Sequence, residues 1–172
     1  MPAEPDSRPN DLAWWSPLRR AVLPLDGLAI TRSMRRSTHR YDIRVDTSFE
    51  AVMHGCGAPH RPGAWINQEF IDAYVRLHQL GWAHSVEAFN EYDQLVGGLY
   101  GVRIGNFFAG ESMFHLARDA SKVALITLVK MMNDSSMLLL DVQWQTPHLT
   151  SLGAVEIERR DYLDRLSVAV TP

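Results

Sequence analysis

The sequence predicts an α+β fold, an α/β-type mixed sheet flanked by helices, and three observations indicate it. Residues 84–114 read as three successive strands, joined by the turn NEYD at 90–93 and by Gly105-Asn106, a pair typical of tight hairpins. A long apolar helical segment follows at 119–134, and a returning strand follows at 137–144. A meander of strands, a buried helix and a further strand are typical of a sheet with helices on its faces.

The individual elements follow from hydrophobic spacing and from residues that begin or end helices. Prolines at 17 and 24 favour short strands and turns over residues 14–30, and YDIRVD at 41–46 alternates as a strand does. The predicted helices begin after polar residues, and the first two end at glycine. They are TSFEAVMHGCG at 47–57, NQEFIDAYVRLHQLG at 67–81, DASKVALITLVKMMND at 119–134 and RRDYLDRL at 159–166.

The length of 172 residues predicts one domain over residues 14–172, preceded by a flexible, proline-rich leader at 1–13. Cys56 is the only cysteine, so no internal disulfide is expected. The chain opens with prolines and acids, unlike a secretory signal, and its apolar runs fall short of the roughly 20 residues that cross a bilayer. We therefore expect a cytoplasmic protein without a membrane partner.

The charge is unevenly distributed along the chain. The net charge is −3, yet seven of the 17 basic residues, all arginine, lie between Arg19 and Arg44, opposed only by Asp26 and Asp42. Such asymmetry favours an anionic partner on one face, because local potential governs encounter more than net charge does. An ordinary solvated arginine-rich surface is the alternative.

Three polar side chains stand in otherwise apolar strands: Glu111, Asp141 and Gln143. A buried polar group needs a partner, so each indicates a ligand, a cation or a hydrogen-bond donor nearby. Asp141 and Gln143 are two residues apart and are predicted to point to one face of a strand. With Glu111 on a neighbouring strand, they would form a polar rim over an apolar pocket. Alternatively, Glu111 pairs with an arginine or caps a helix.

Several familiar sites are excluded or disfavoured. The glycines at 97, 98 and 101 do not form a phosphate loop, and no coenzyme A pyrophosphate turn is present; a ligand or a crossing strand would explain them. His54, Cys56 and His60 lack a fourth ligand at a zinc spacing. His84 and Ser85 are adjacent on a strand and point apart, which argues against a serine triad. We expect neither a metal nor a cofactor.

A set of motifs resembles one family in order along the chain. The motifs are WWSP (14–17), ITRSMRR (30–36), GAWI (63–66), AYVRLHQLGWAHSVE (73–87), VGGLYG (96–101), FAGESMF (108–114), ASKVAL (120–125), DVQ (141–143) and HLTSLGA (148–154). This series resembles the motifs of the leucyl/phenylalanyl-tRNA–protein transferases, which occur in the same order, and the resemblance extends from Trp14 to about Leu166.

This resemblance implies an aminoacyltransferase, a leucyltransferase-type enzyme. It would move Leu or Phe from aminoacyl-tRNA to the N-terminal Arg or Lys of acceptor proteins, the mark for Clp-type proteolysis. It also implies a catalytic domain like the GCN5-related N-acetyltransferases. The absent coenzyme A turn agrees with it, because the acyl donor would be a tRNA ester.

The resemblance also assigns roles to residues. It implies that Gln143 orients the attacking amine, that Asp141 supports it electrostatically and that Glu111 binds at the polar rim, with the proton leaving through Asp141, water or the ribose. The aminoacyl pocket would be lined by Leu99, Phe108, Gly110, Met113, Leu125, Leu128, Met132 and Leu140. The residues implied to contact tRNA are Trp14, Trp15, Trp65, Arg32, Arg35, Arg36 and Arg40.

Two alternatives accompany this interpretation. One is an acyltransferase of the same fold that uses another donor, and the other is a catalytically inactive relative that binds tRNA or an N-degron. The family's usual small N-terminal domain is expected to be largely missing before Trp14, which bears on part of the tRNA surface. We expect a monomer.

Overall fold

A seven-stranded sheet forms the centre of the fold, in a computed structural model that describes residues 17–59 and 65–171. The strands are β1 (Arg19–Val22), β2 (Asp42–Val45), β3 (Ala83–Phe89), β4 (Leu95–Ile104), β5 (Phe107–His115), β6 (Leu139–Gln143) and β7 (Val155–Glu158). The helices are α1 (Arg32–Ser37), α2 (Phe49–Cys56), α3 (Gln68–Gln79), α4 (Ala120–Asp134), α5 (Pro147–Ser151) and α6 (Arg159–Ala169).

The order of strands in the sheet is β2-β3-β4-β5-β6-β1-β7. The predicted meander of β3, β4 and β5 is confirmed, and every neighbouring pair is antiparallel except β5 and β6. The parallel pair is connected through α4, as a parallel connection requires a crossover. The expected mixed α+β sheet with helices is therefore confirmed.

The parallel pair is short, and this shapes the site. β5 and β6 are paired only from Phe107 with Leu139 to Ala109 with Asp141. Beyond these residues both strands continue without pairing to each other. The gap between them opens the sheet next to Glu111 and Gln143.

Helices cover both faces of the sheet because the side chains of its strands alternate. Leu99 packs with Leu125 and Leu128 of α4 on one face, whereas the next residue, Tyr100, packs with Phe49 and other residues of α2 on the opposite face. α6 closes a third apolar cluster over β1, β5 and β6. The prediction of a buried helix at 119–134 is confirmed, since eight residues of α4 are buried.

The glycines of β4 are explained by close neighbours within the protein. A Cβ at Gly97 would lie 2.6 Å from the Cβ of Ala120, and a Cβ at Gly101 would overlap the Ala109 carbonyl oxygen and the Phe108 ring. The approach of α4 and of β5 therefore requires glycine here, with no ligand needed.

Three short elements are not indicated by the hydrophobic pattern: α1, α5 and β7. Each has four to six residues, too few to show a helical or strand period. α1 and α5 are instead begun by capping, since the Thr31 hydroxyl accepts from the Met34 amide and the Thr146 hydroxyl accepts from the Leu149 amide.

Candidate active site

Glu111 is the extra residue of a β-bulge on β5. Tyr100 of β4 pairs with Ser112, and the next residue, Gly101, pairs with Gly110, so Glu111 has no opposite residue. A bulge interrupts side-chain alternation and turns one side chain away from its regular direction. Here it directs the carboxylate toward β6.

β6 carries a second irregularity at the same level. Ala21 of β1 pairs with Gln143 and Val22 pairs with Asp141, which leaves Val142 as the extra residue. Gln143 has a φ of 65°, a left-handed backbone that residues with a Cβ rarely adopt. Such a conformation is kept only where the surroundings hold it, and it is common at functional sites.

The two irregular strands bring Glu111 and Gln143 into contact. The Gln143 Nε2 donates to Glu111 Oε2 at 2.8 Å, and Tyr74 of α3 forms a further hydrogen bond to Glu111. Burial raises the pKa of the Glu111 carboxyl above its usual 4.5, although the bonds from Gln143 and Tyr74 oppose the shift. A carboxylate with a raised pKa is a better proton acceptor than an exposed one.

Asp141 does not share this rim, contrary to the prediction that it points to the same face as Gln143. Its side chain is 1% exposed and lies against β1 and α6. Arg20 Nε donates to both carboxylate oxygens at 3.0 Å, and Arg20 Nη2 donates to Oδ2 at 2.7 Å. The bulge at Val142 is the reason, because the extra residue breaks the alternation that the prediction assumed.

The carboxylate of Asp141 has further partners besides Arg20. The Tyr162 hydroxyl donates to Oδ2 at 2.8 Å, and the backbone amide of Gln143 donates to Oδ1 at 2.7 Å. Both oxygens are therefore engaged within the protein. This arrangement favours a role in holding Gln143 and disfavours Asp141 as the group that accepts a proton.

An apolar cavity of about 110 Å³ lies beside Glu111, between α4 and the diverging strands. Six of the eight residues predicted for an aminoacyl pocket line it. They are Leu99, Gly110, Met113, Leu125, Leu128 and Leu140, and the structure adds Tyr100, Glu111, Ser112, Val142 and Leu149.

The other two predicted pocket residues, Phe108 and Met132, do not line this cavity. They line a second one of about 230 Å³, which has Leu128 in common with the first. Phe108 packs with residues of α4 in the main apolar cluster. The polar residues that line the second cavity include Asp46. The Asp46 carboxylate contacts His84 Nδ1 at 2.7 Å and accepts a hydrogen bond from the Ser85 amide.

The arginines predicted to contact tRNA lie on and just after α1. Arg32, Arg35, Arg36 and Arg40 are all exposed, and none forms an ion pair with another residue in the described part of the chain. Asp119 accepts hydrogen bonds from Ser33 and Ser37, which ties α1 to the start of α4. The helix is thereby anchored with its cations turned to solvent.

Of the aromatic residues predicted to contact tRNA, the structure describes Trp65. Trp65 is half-buried and packs edge-to-face against Phe70 of α3, with ring centroids 5.1 Å apart. α3 also carries Tyr74, the partner of Glu111. Trp14 and Trp15, like the predicted leader at 1–13, lie outside the described residues.

Within residues 17–59 and 65–171, no cluster of three or more His, Cys, Asp or Glu residues is arranged to hold a metal ion. Cys56 is buried, and His60 lies outside the described residues. In that same part of the chain, no helix has both the length and the apolar character to span a membrane.

Three site residues are not indicated by the sequence patterns: Arg20, Tyr74 and Tyr162. Arg20 and Asp141 are 121 positions apart, so no local pattern links them. A carboxylate buried in a strand requires a cationic or hydrogen-bonding partner, but this rule does not select Arg20 among the arginines of the chain.

The sequence of the chain is similar to those of known enzymes. A family model described as leucyl/phenylalanyl-tRNA protein transferase matches residues 22–167. Relatives described by the same enzyme name include one from Rhodopseudomonas palustris, 46% identical over 93% of this chain and 71% of its own length. One from Paramagnetospirillum magneticum is 47% identical over 94% and 78%, and one from Chlorobaculum tepidum is 43% identical over 96% and 87%.

Solved structures are much more distant. L-PGS from Bacillus licheniformis is 13% identical with a TM-score of 0.47, covering 72% of this chain and 44% of that one. The PaiA N-acetyltransferase from Thermoplasma acidophilum, in complex with coenzyme A, is 14% identical with a TM-score of 0.40, covering 58% and 77%. The family assignment depends on the sequence matches. On those matches, the chain belongs to the leucyl/phenylalanyl-tRNA–protein transferase family.

Proposed function

We propose that this chain transfers leucine or phenylalanine from aminoacyl-tRNA to the N-terminal amine of an acceptor protein. Family membership supports the reaction class. The observation that carries the proposal is the Gln143 amide on the Glu111 carboxylate, 2.8 Å apart, beside an apolar cavity. The site thus combines a place for an apolar side chain with polar groups for an amine.

The aminoacyl side chain enters the cavity beside Glu111. Its lining of leucines, Met113 and Val142 suits leucine or phenylalanine, and burying a charged side chain among these apolar residues would be costly. β-branched side chains are disfavoured by shape, and differences of this kind are worth about 1–3 kcal/mol. The cavity therefore selects the side chain, and the polar rim acts on the reacting groups.

The chemistry is aminolysis of an ester. The acceptor amine forms a C–N bond with the aminoacyl carbonyl carbon, the C–O bond to the ribose breaks, and the ribose oxygen leaves as a hydroxyl. Gln143 orients the amine, and Glu111 receives its proton directly or through water before the proton reaches the ribose oxygen. An α-amine has a pKa near 8, so modest proton handling and good orientation suffice.

Asp141 serves this reaction indirectly. Because its oxygens accept from Arg20, Tyr162 and Gln143, it has little capacity left to receive the amine proton. The routes predicted from the sequence were Asp141, water and the ribose. Glu111 is a further acceptor, supported by its contact with Gln143 and by the burial that raises its pKa.

The nucleic acid lies over the exposed arginines of α1. Arg32, Arg35, Arg36 and Arg40 contact phosphates without reading sequence, and Trp65 stacks near the terminal adenosine. The remaining features follow the family resemblance. They are acceptors that begin with Arg or Lys, a fold like the GCN5-related acetyltransferases, a cytoplasmic location and a monomeric state.

The test is mass spectrometry of a peptide with N-terminal Arg after incubation with Leu-tRNA or Phe-tRNA. The chain is expected to add one leucyl or phenylalanyl residue, and Gln143→Ala is expected to abolish most of the addition. Gln145→Ala is the matched control, since the Gln145 amide contacts the Ala154 carbonyl and not Glu111.

A peptide with N-terminal Ala reports acceptor selectivity in the same assay. Binding of tRNA without any addition would contradict the proposal and favour the inactive binding relative. Addition from an acyl-coenzyme A donor instead of tRNA would favour an acyltransferase with another donor.

A further inference from the structure

Arg20, near the start of the described chain, and Tyr162, near its end, both contact Asp141. Arg20 lies on β1 and Tyr162 on α6, and both donate to the same carboxylate oxygen, at 2.7 and 2.8 Å. The Arg20 guanidinium also lies over the Tyr162 ring, 5.5 Å from its centroid. The three side chains therefore form one cluster behind the site.

The cluster is connected to the site through one backbone hydrogen bond. Asp141 Oδ1 accepts a hydrogen bond from the Gln143 backbone amide at 2.7 Å. The other carboxylate oxygen, Oδ2, accepts from Arg20 and Tyr162. Gln143 needs this support because its φ of 65° is unfavourable for a residue with a Cβ. If Gln143 relaxed to an extended conformation, its side chain would turn away from Glu111.

We propose that Arg20 and Tyr162 are positioning residues for Gln143, acting through Asp141. They fix the carboxylate, the carboxylate fixes the left-handed backbone of Gln143, and this backbone keeps the side-chain amide on Glu111. The inference rests on the proposed function, since it names residues that serve the same transfer reaction. Neither residue contacts the cavity beside Glu111.

A merely structural role makes a different prediction. The Tyr162 ring packs in the apolar cluster of β1, β5 and β6, and this packing remains in Tyr162→Phe. If the hydroxyl served stability alone, its loss would lower the melting temperature and leave turnover unchanged. If it positions Gln143, turnover falls while the binding of aminoacyl-tRNA is preserved.

The first measurement is steady-state transfer by Tyr162→Phe. We expect kcat to fall about tenfold and KM for Leu-tRNA to stay within about twofold, since the lost bond is to a charged group and acts on the reacting end alone. Tyr92→Phe is the matched control, because Tyr92 is 74% exposed in the β3–β4 turn. Arg20→Lys should behave like Tyr162→Phe, and Arg19→Lys, on the exposed side of β1, should not.

The second measurement shows whether Tyr162 acts through Asp141. In an Asp141→Asn background, adding Tyr162→Phe should lower kcat by less than about twofold, because the linking carboxylate is already altered. Full additivity of the two changes would overturn the proposal.

The third measurement is hydrogen exchange of the Gln143 amide, which requires no transfer activity. Its exchange should be at least about tenfold faster in Tyr162→Phe than in the unaltered chain, with the Leu140 amide as an internal reference. Unchanged exchange together with unchanged kcat would overturn the inference. An inactive unaltered chain would instead overturn the proposed function, and the exchange result would still decide the positioning role.

Discussion

Replacing Asp141 with asparagine tests the buried ion pair behind the site. The asparagine has the same shape and keeps one acceptor oxygen, but it removes the charge opposite Arg20. Breaking a buried pair typically costs about 3–5 kcal/mol. The Arg20 side chain is 20% exposed, so water screens part of its charge, and we expect a loss of about 2–3 kcal/mol in the free energy of unfolding.

The assay is equilibrium unfolding in urea, followed by fluorescence and circular dichroism. With a slope of about 2 kcal/mol per molar, the expected loss lowers the midpoint by about 1–1.5 M. Glu156→Gln is the matched control. It removes a carboxylate that lies 3.3 Å from Arg19, but both side chains are more than one-third exposed, so the loss should stay below about 1 kcal/mol.

The comparison between the two variants tests whether the Arg20–Asp141 pair stabilises the fold and whether it serves the reaction. Equal midpoints for Asp141→Asn and Glu156→Gln would refute the argument that the Arg20–Asp141 pair is buried and structurally important. A lower midpoint for Asp141→Asn with a full rate of transfer would refute the further step, that this pair holds Gln143 for the reaction.

Three further predictions concern the reaction. Because burial raises the pKa of Glu111, transfer should decline as pH falls through a value above 4.5, where the carboxylate takes up a proton; a pH–rate profile of Glu111→Gln should be low and lack this limb. Leu128 lines both cavities, so Leu128→Ala should connect them and raise the preference for Phe-tRNA over Leu-tRNA by about tenfold in competing kcat/KM measurements. An unchanged ratio of the two kcat/KM values would contradict the placement of the aminoacyl side chain in the first cavity. The double change of Arg35 and Arg36 to Gln should reduce the slope of log affinity for tRNA against log salt by about 2, whereas Arg76→Gln on α3 should leave it unchanged.

The local elements of this chain were predictable from spacing and turn chemistry. The meander follows from alternation and the Gly105-Asn106 turn, and α4 follows from its apolar length and its position between two strands. The unusual placement of Glu111 and Gln143 in apolar strands also indicated the site. These features depend on residues that are close to one another along the chain, so they can be predicted from the sequence.

The direction of the polar side chains was decided by the tertiary structure. Alternation predicted Asp141 and Gln143 on one face, but bulges at Glu111 and Val142 redirected the rim. Both bulges lie where two strands are paired. At the first, a Cβ at Gly101 of β4 would overlap the backbone of β5. At the second, Ala21 and Val22 of β1 pair with Gln143 and Asp141, on either side of Val142. Such contacts join distant residues, as do those of Arg20 and Tyr162 with Asp141. The sequence by itself therefore indicated Glu111, Asp141 and Gln143 as candidate polar groups. The packing of distant strands decided that Glu111 and Gln143 meet beside the cavity and that Asp141 is held by Arg20 and Tyr162.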